Sequence, residues 1–181
     1  MMTLNADPKQ LIDEAETAYQ TEEFALAAKK YQAAQDAYIQ AGDALMAAEM
    51  ANNASVSLLK SGDATAAFNA ADKTDLVFSQ AGDLRRQAIA LSNQASALES
   101  LKKNDQALDL YTRSSGLLKQ INETDMRAYV LKSISYLQFR TGKKFDAMAT
   151  MRIALDAQRK LTLRERILKT LLGIVFRLMG T

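Results

Sequence analysis

The tetrapeptide Gln40-Ala41-Gly42-Asp43 returns unchanged as Gln80-Ala81-Gly82-Asp83, and this interval of 40 residues constrains the fold more than any other feature of the chain. In rows of 40, Ala27, Ala67, Ala107 and Ala147 share one column, Tyr31, Ala71, Tyr111 and Met151 the next, and Ala34, Thr74, Ser114 and Ala154 a third. A fourth column holds Tyr38, Phe78 and Leu118 but Gln158 in the last row, so the match fades there. Repetition at roughly 20–50 residues marks an architecture in which each unit buries its apolar face against its neighbours. The columns lie at i, i+4 and i+7, which is one face of a helix and not the alternation of a strand. Their small, large, small order suits closely approaching helices, where Leu in place of Ala67 or Ala107 would overpack.

Local signals divide each repeat into two helices. The first helix opens at Asp7 as N-cap with Pro8 in its first turn and runs to about Gln20, its stripe formed by Leu11, Ile12, Ala15, Ala18 and Tyr19. A second spans about 23–41. Gly42 and Gly82 supply the positive φ that ends a helix, and Asp43 and Asp83 cap the next. Further pairs are expected over about 44–61 and 64–81, 84–102 and 105–121, and 125–141 and 144–160. Their internal turns are Ser61-Gly62-Asp63, Lys102-Lys103-Asn104-Asp105 and Thr141-Gly142-Lys143. The connection Asn122-Glu123-Thr124-Asp125 departs from the pattern and reads as an insertion of about two residues.

Composition limits the chemistry. With 181 residues, 48% hydrophobic, one Pro and seven Gly, the chain has the make-up of one helical globular protein. The lack of cysteine excludes disulfides and thiolate metal sites, and the lack of histidine removes the commonest acid–base group. Asp13, Glu14 and Glu16, and Asp72 and Asp75, read as solvated helix faces and not as a gathered acid–base pair. Thr141-Gly142-Lys143-Lys144 has Leu137 where a phosphate loop needs glycine. No catalytic, cofactor-binding or metal-binding residues are expected. Residues 1–7 hold no basic segment leading into an apolar run, and no uncharged stretch is long enough to span a bilayer, so the expected location is cytoplasmic. Charge is divided: residues 1–125 carry 11 Lys+Arg against 18 Asp+Glu, a net −7, and residues 126–181 carry 12 against 3, a net +9. That asymmetry favours an acidic partner, an anionic lipid surface or a second copy at the basic end. Nucleic acid is not the expected partner, because the cations are spread over several helices without a reading motif.

Gly62 five residues before Ala67, Phe24 three before Ala27, and the Ala27, Tyr31, Ala34 spacing resemble the tetratricopeptide repeat (TPR) over roughly residues 8–160. The 40-residue period is similar to the long-helix variety found in the soluble NSF attachment proteins. The resemblance implies an all-α, right-handed α-α superhelix: a TPR-like solenoid of about four helical hairpins. The domain would be residues 1–160, with repeats of about 8–42, 43–82, 83–124 and 125–160, followed by a helix within 161–181. It also implies that the first helix of each pair lines a concave groove. Carried over by register, that groove takes Lys9, Ile12, Glu16 and Tyr19, then Glu49, Asn52, Val56 and Leu59, then Ile89, Ser92, Ser96 and Glu99. The fourth pair supplies Tyr129, Lys132, Tyr136 and Phe139, with Arg140 alongside. Asn52 and this last group are the candidate partner-binding residues, suited to an apolar peptide with an acidic end. The same aromatic spacing also suits packing beneath the following helix. Ser92 and Ser96 stand where a carboxylate clamp would need cations, so no clamp is expected.

The last stretch begins with a capping box, Thr162-Leu163-Arg164-Glu165, and reads as a helix to about Met179, before Gly180. Its apolar residues occupy nearly the whole circumference of its second half. Ile167, Leu168, Leu171, Leu172, Val175, Phe176 and Met179 form the candidate association surface. Three readings compete: a homodimer through this helix, which leads; contact with an anionic membrane aided by Arg164, Arg166, Lys169 and Arg177; and folding across the chain's own groove. The expected function is a non-catalytic interaction scaffold. The alternative is a structural protein whose self-association through residues 163–179 is itself the role.

Overall fold

The structure is a computed structural model that describes residues 7–179, so Gly180 and residues 1–6 of the segment read above for a leader lie outside the described residues. The described chain is all-helical: α1 (Pro8–Gln20), α2 (Phe24–Ala41), α3 (Ala44–Lys60), α4 (Ala64–Ala71), α5 (Thr74–Gln80), α6 (Leu84–Ser100), α7 (Asn104–Gln120), α8 (Thr124–Arg140), α9 (Lys144–Ala157) and α10 (Leu163–Leu178). Among the described residues, no helix is long and apolar enough to cross a membrane.

The turns obey a ruler half as long as the repeat. Glu22, Gly42, Gly62, Gly82, Lys102, Asn122 and Gly142 all have positive φ, and each stands 20 residues after the last. After each one, the next amide reaches the carbonyl five residues back, as in Asp43 N–H to Tyr38 O at 2.9 Å and Glu123 N–H to Leu118 O at 2.9 Å. This geometry satisfies the orphan carbonyls at a helix end while reversing the chain. A Cβ built on Gly62 meets nothing within 4 Å, so this glycine serves its φ of +93° and not a close approach. Helix starts follow the same ruler, and α8 begins at Thr124, 40 residues after α6 begins at Leu84. The insertion expected at residues 122–125 is therefore absent; Asn122 tolerates the left-handed conformation and does the work of a glycine. Asp7, Asp43, Asp63 and Asp83 each accept a first-turn amide as N-caps.

The helix expected over residues 64–81 is broken into α4 and α5. Asp72 is extended and Lys73 is left-handed with φ 60°. The break frees the Ala71 carbonyl, which accepts from Thr74 Oγ1 at 2.7 Å and from Gln94 Nε2 at 2.8 Å. Gln94 Nε2 also donates to Asp75 Oδ1 at 2.9 Å, and Arg113 Nη2 lies 3.8 Å from Asp75 Oδ2. Thr74, which the repeat places in a small-residue column, thus ends a helix through its hydroxyl. Asp75 is buried, against the expectation that it faces solvent.

Short turns pair α1 with α2, α3 with α4 and α5, α6 with α7, and α8 with α9, and each hairpin packs on the next. The predicted columns are core: Ala27, Ala67, Ala107 and Ala147 are buried, as are Ala34, Thr74, Ser114 and Ala154. Within three hairpins a serine ties the helices together, Ser55 Oγ donating to Ala67 O, Ser114 Oγ to Ala88 O and Ser135 Oγ to Ala147 O, all at 2.7 Å. Between hairpins, Met50, Ala54 and Ser57 are buried in the second unit, Ala90, Gln94 and Ala97 in the third, and Val130, Ile134 and Leu137 in the fourth. The same three positions of the first unit are Gln10, Glu14 and Thr17, a polar surface closed by Gln10 Nε2 to Glu14 Oε1 at 2.9 Å and by the Glu14–Lys30 ion pair.

The fourth unit departs from the ruler. Helix α9 stops at Ala157, short of the expected residue 160, because Gln158 is extended with ψ 130°. Helix α10 then starts from the predicted capping box: Glu165 N–H donates to Thr162 Oγ1 at 3.3 Å and Thr162 N–H to Glu165 Oε2 at 2.8 Å. It docks on α9 through Leu172 and Phe176, which are buried with Leu155 against the half-buried Met148 and Met151. The Phe176 ring meets Phe145 edge-on at 5.7 Å and lies under the Arg152 guanidinium at 5.2 Å, while Lys169 Nζ pairs with Asp156 at 2.7 Å.

Candidate functional site

The first helices α3, α6, α8 and α10 are linked by polar rungs. Arg86 Nη1 on α6 reaches Glu49 Oε2 on α3 at 2.9 Å, and Asn93 Nδ2 donates to Asn52 Oδ1 at 3.2 Å. Arg140 Nη1 on α8 reaches Glu99 Oε1 on α6 at 2.9 Å. Lys132 Nζ on α8 bonds Glu165 on α10 and Gln158 Oε1 at 2.6 Å. The lysine first, then the capping amide, hold the Glu165 carboxyl down to a pKa of about 2. Tyr111 bridges Ser96 Oγ at 2.9 Å and Glu99 Oε2 at 3.2 Å beneath these rungs, and burial pushes its hydroxyl up to about 12.

This places the candidate groove residues in two groups. Asn52 and Lys132 are engaged inside the molecule, Asn52 also donating to Ala48 O at 3.1 Å, so both act as links between helices. Tyr129, Tyr136 and Phe139 are not packed beneath the following helix: they are 70%, 59% and 59% exposed. Arg140 stacks 5.6 Å over the Tyr136 ring, fixing it from one side. Three large aromatics left open on one helix face are an unusual use of surface, and interface anchors are drawn from such residues.

Tyr129 stands where two cavities meet. On one side a pocket of about 190 Å³ is lined by Ala88, Ile89, Leu118, Met126 and Val130, with Ser92 and Asn93 at its polar edge. On the other a hollow of about 600 Å³ is lined by Asp125, Lys132, Gln158, Arg159 and Lys160, with Asp125 accepting from the Arg159 amide at 3.0 Å and lying 4.0 Å from its guanidinium. An aliphatic side chain fits the first, and a carboxylate is suited to the second. Sequence reasoning missed Met126, Arg159 and Lys160; the only signal was Gln158, the residue at which the fourth column fails. Another cavity, of about 410 Å³, lies between α3 and α6 beside Asn52, Arg85 and Arg86.

The candidate association residues are also divided. Leu172 and Phe176 are spent on docking α10, and Val175 is half-buried. Ile167, Leu168, Leu171 and Met179 remain exposed. The described residues hold no group of three or more His, Cys, Asp or Glu able to bind a metal. The chain matches no protein-family model and no curated protein.

Proposed function

We propose that this protein is a non-catalytic interaction scaffold whose hairpins wind into a TPR-like, right-handed superhelix, with the first helices lining its concave side. The partner is a peptide segment that combines an apolar side chain with an adjacent acidic group. The observation that carries this reading is Tyr129, exposed between an apolar pocket and a basic hollow. The apolar pocket takes the aliphatic anchor, the Tyr129 and Tyr136 rings cover the backbone beside it, and Arg159 and Lys160 meet the acid. The rungs Glu99–Arg140 and Lys132–Glu165 hold α8 rigidly between its neighbours, so the surface is preorganised and little ordering opposes binding.

Selection of the full chain against a random peptide library tests the proposal. Enrichment of sequences pairing an aliphatic residue with Asp or Glu within a few positions is the expected result. Enrichment of basic sequences, or none above that of an Ile89→Asp, Tyr129→Ala variant, overturns it.

A further inference from the structure

Beyond the α8 surface, α10 carries a second unpartnered face. Leu163, Ile167, Leu171, Ile174 and Leu178 follow one another at helical spacing, are between 48% and 83% exposed, and lie opposite the buried Leu172 and Phe176. Arg164 flanks this stripe on one side, and Arg166 and Arg177 flank it on the other, all exposed. Residues 126–181 hold three carboxylates, and two of them are neutralised in place, Asp156 by Lys169 and Glu165 by Lys132. The stripe is thus bordered by cations on both sides, with the exposed Leu168 and Met179 widening it on the Arg164 side.

The seats that the chain itself could offer do not match it. In α8 the side turned toward its hairpin partner carries Ala128, Leu131 and Ser135, all buried. Counted from the docking residues, the corresponding side of α10 carries Thr170, Gly173 and Arg177, so the apolar stripe is not a seat for a hairpin helix. A symmetric second copy would set Arg164, Arg166 and Arg177 against themselves. A head-to-tail copy would press five aliphatic side chains on Gln10, Glu14 and Thr17.

We infer that α10 lies in the interfacial zone of an anionic bilayer, with the aliphatic stripe below the headgroups and the three arginines among their phosphates and carboxylates. An exposed apolar face with cations on both borders is the pattern of an interfacial helix, and arginine stems reach from such a face to the headgroup layer. The net −7 of residues 1–125 would be repelled by the same surface, which orients the basic end toward the lipid.

The test is co-sedimentation of the full chain with phosphatidylcholine vesicles, with and without phosphatidylserine. Binding is expected only with phosphatidylserine, weakening as salt rises from ~0.1 to ~0.5 M. Replacing Arg164, Arg166 and Arg177 by Gln should weaken it about a hundredfold, at about fivefold per cation. Leu171→Asp with Ile174→Asp should abolish it; both positions are exposed, and an unchanged melting temperature shows that the fold is intact. No binding by the full chain, or undiminished binding by the double variant, overturns the inference. A solution mass of two chains that falls to one in the double variant also overturns it, by assigning the stripe to a second copy.

Discussion

Ala107→Leu probes the packing that the 40-residue period imposes. Ala107 is fully buried in the largest core cluster, among Ala88, Ala95, Leu98 and Tyr111, at the point where α7 crosses α6. Its place in the repeat is taken by alanine in all four units, at most 3% exposed, so the facing backbones approach across a methyl group. Three added carbons have no void to enter, and such overpacking costs about 1–3 kcal/mol. For a chain of this length each kcal/mol lowers the melting temperature by about 2–4 °C, giving a fall of roughly 2–12 °C. Ala33→Leu makes the same chemical change at an exposed position of α2 and should leave the transition within ~1 °C, since surface changes rarely exceed ~0.5 kcal/mol. Scanning calorimetry of the two variants beside the wild type provides the comparison. If Ala107→Leu melts with the wild type, the close approach is not a packing constraint and the reasoning from the alanine column fails.

Two glycines should respond with opposite signs. Gly62→Ala, at φ +93°, should destabilise by about 1–2 kcal/mol, whereas Gly116→Ala, inside α7 with open space around it, should stabilise by about 0.5–1 kcal/mol; urea midpoints read both. Ser135→Ala removes the bond to Ala147 O and should cost about 1 kcal/mol by the same assay. Glu165 has a folded pKa lowered from 4.5 to about 2, so its tie to Lys132 acts fully above its unfolded pKa and is lost as pH falls from about 4.5 toward about 2. Pepsin digestion across that range should release α10 before the hairpins are cut, and cleavage that begins elsewhere contradicts this role.

Much of the fold was legible because the small-residue columns and the aspartate caps are local. Gly42 and Gly82 announced a period of 40, but the true ruler of 20 was hidden. Glu22, Lys102 and Asn122 hold left-handed turns with side chains, and only Asn122 carries a compositional hint of it. The α4–α5 break was illegible for a different reason. It depends on Gln94 reaching the Ala71 carbonyl from 23 residues away, which no local pattern records. The aromatic face of α8 was readable as a stripe, yet spacing alone could not tell a core from a surface. What decides is where α10 lies, and the shortening of α9 at Gln158 displaces α10 from the register of the earlier units. Lys132 looked like a free groove cation for the same reason, since its partner Glu165 belongs to the one segment outside the repeat. The apolar circumference of α10 gave no means of separating Leu172 and Phe176, which dock, from Leu171 and Ile174, which do not.

The most direct test of the scaffold reading is the dissociation constant of a library-selected peptide, measured by titration calorimetry on the wild type and on Tyr129→Ala. Loss of an aromatic anchor of ~1.4–2 kcal/mol predicts binding weakened about ten- to thirtyfold, with melting unchanged because Tyr129 is 70% exposed. Equal affinity in both proteins would contradict the account, because it would show that the partner binds somewhere other than the face between the apolar pocket and the basic hollow.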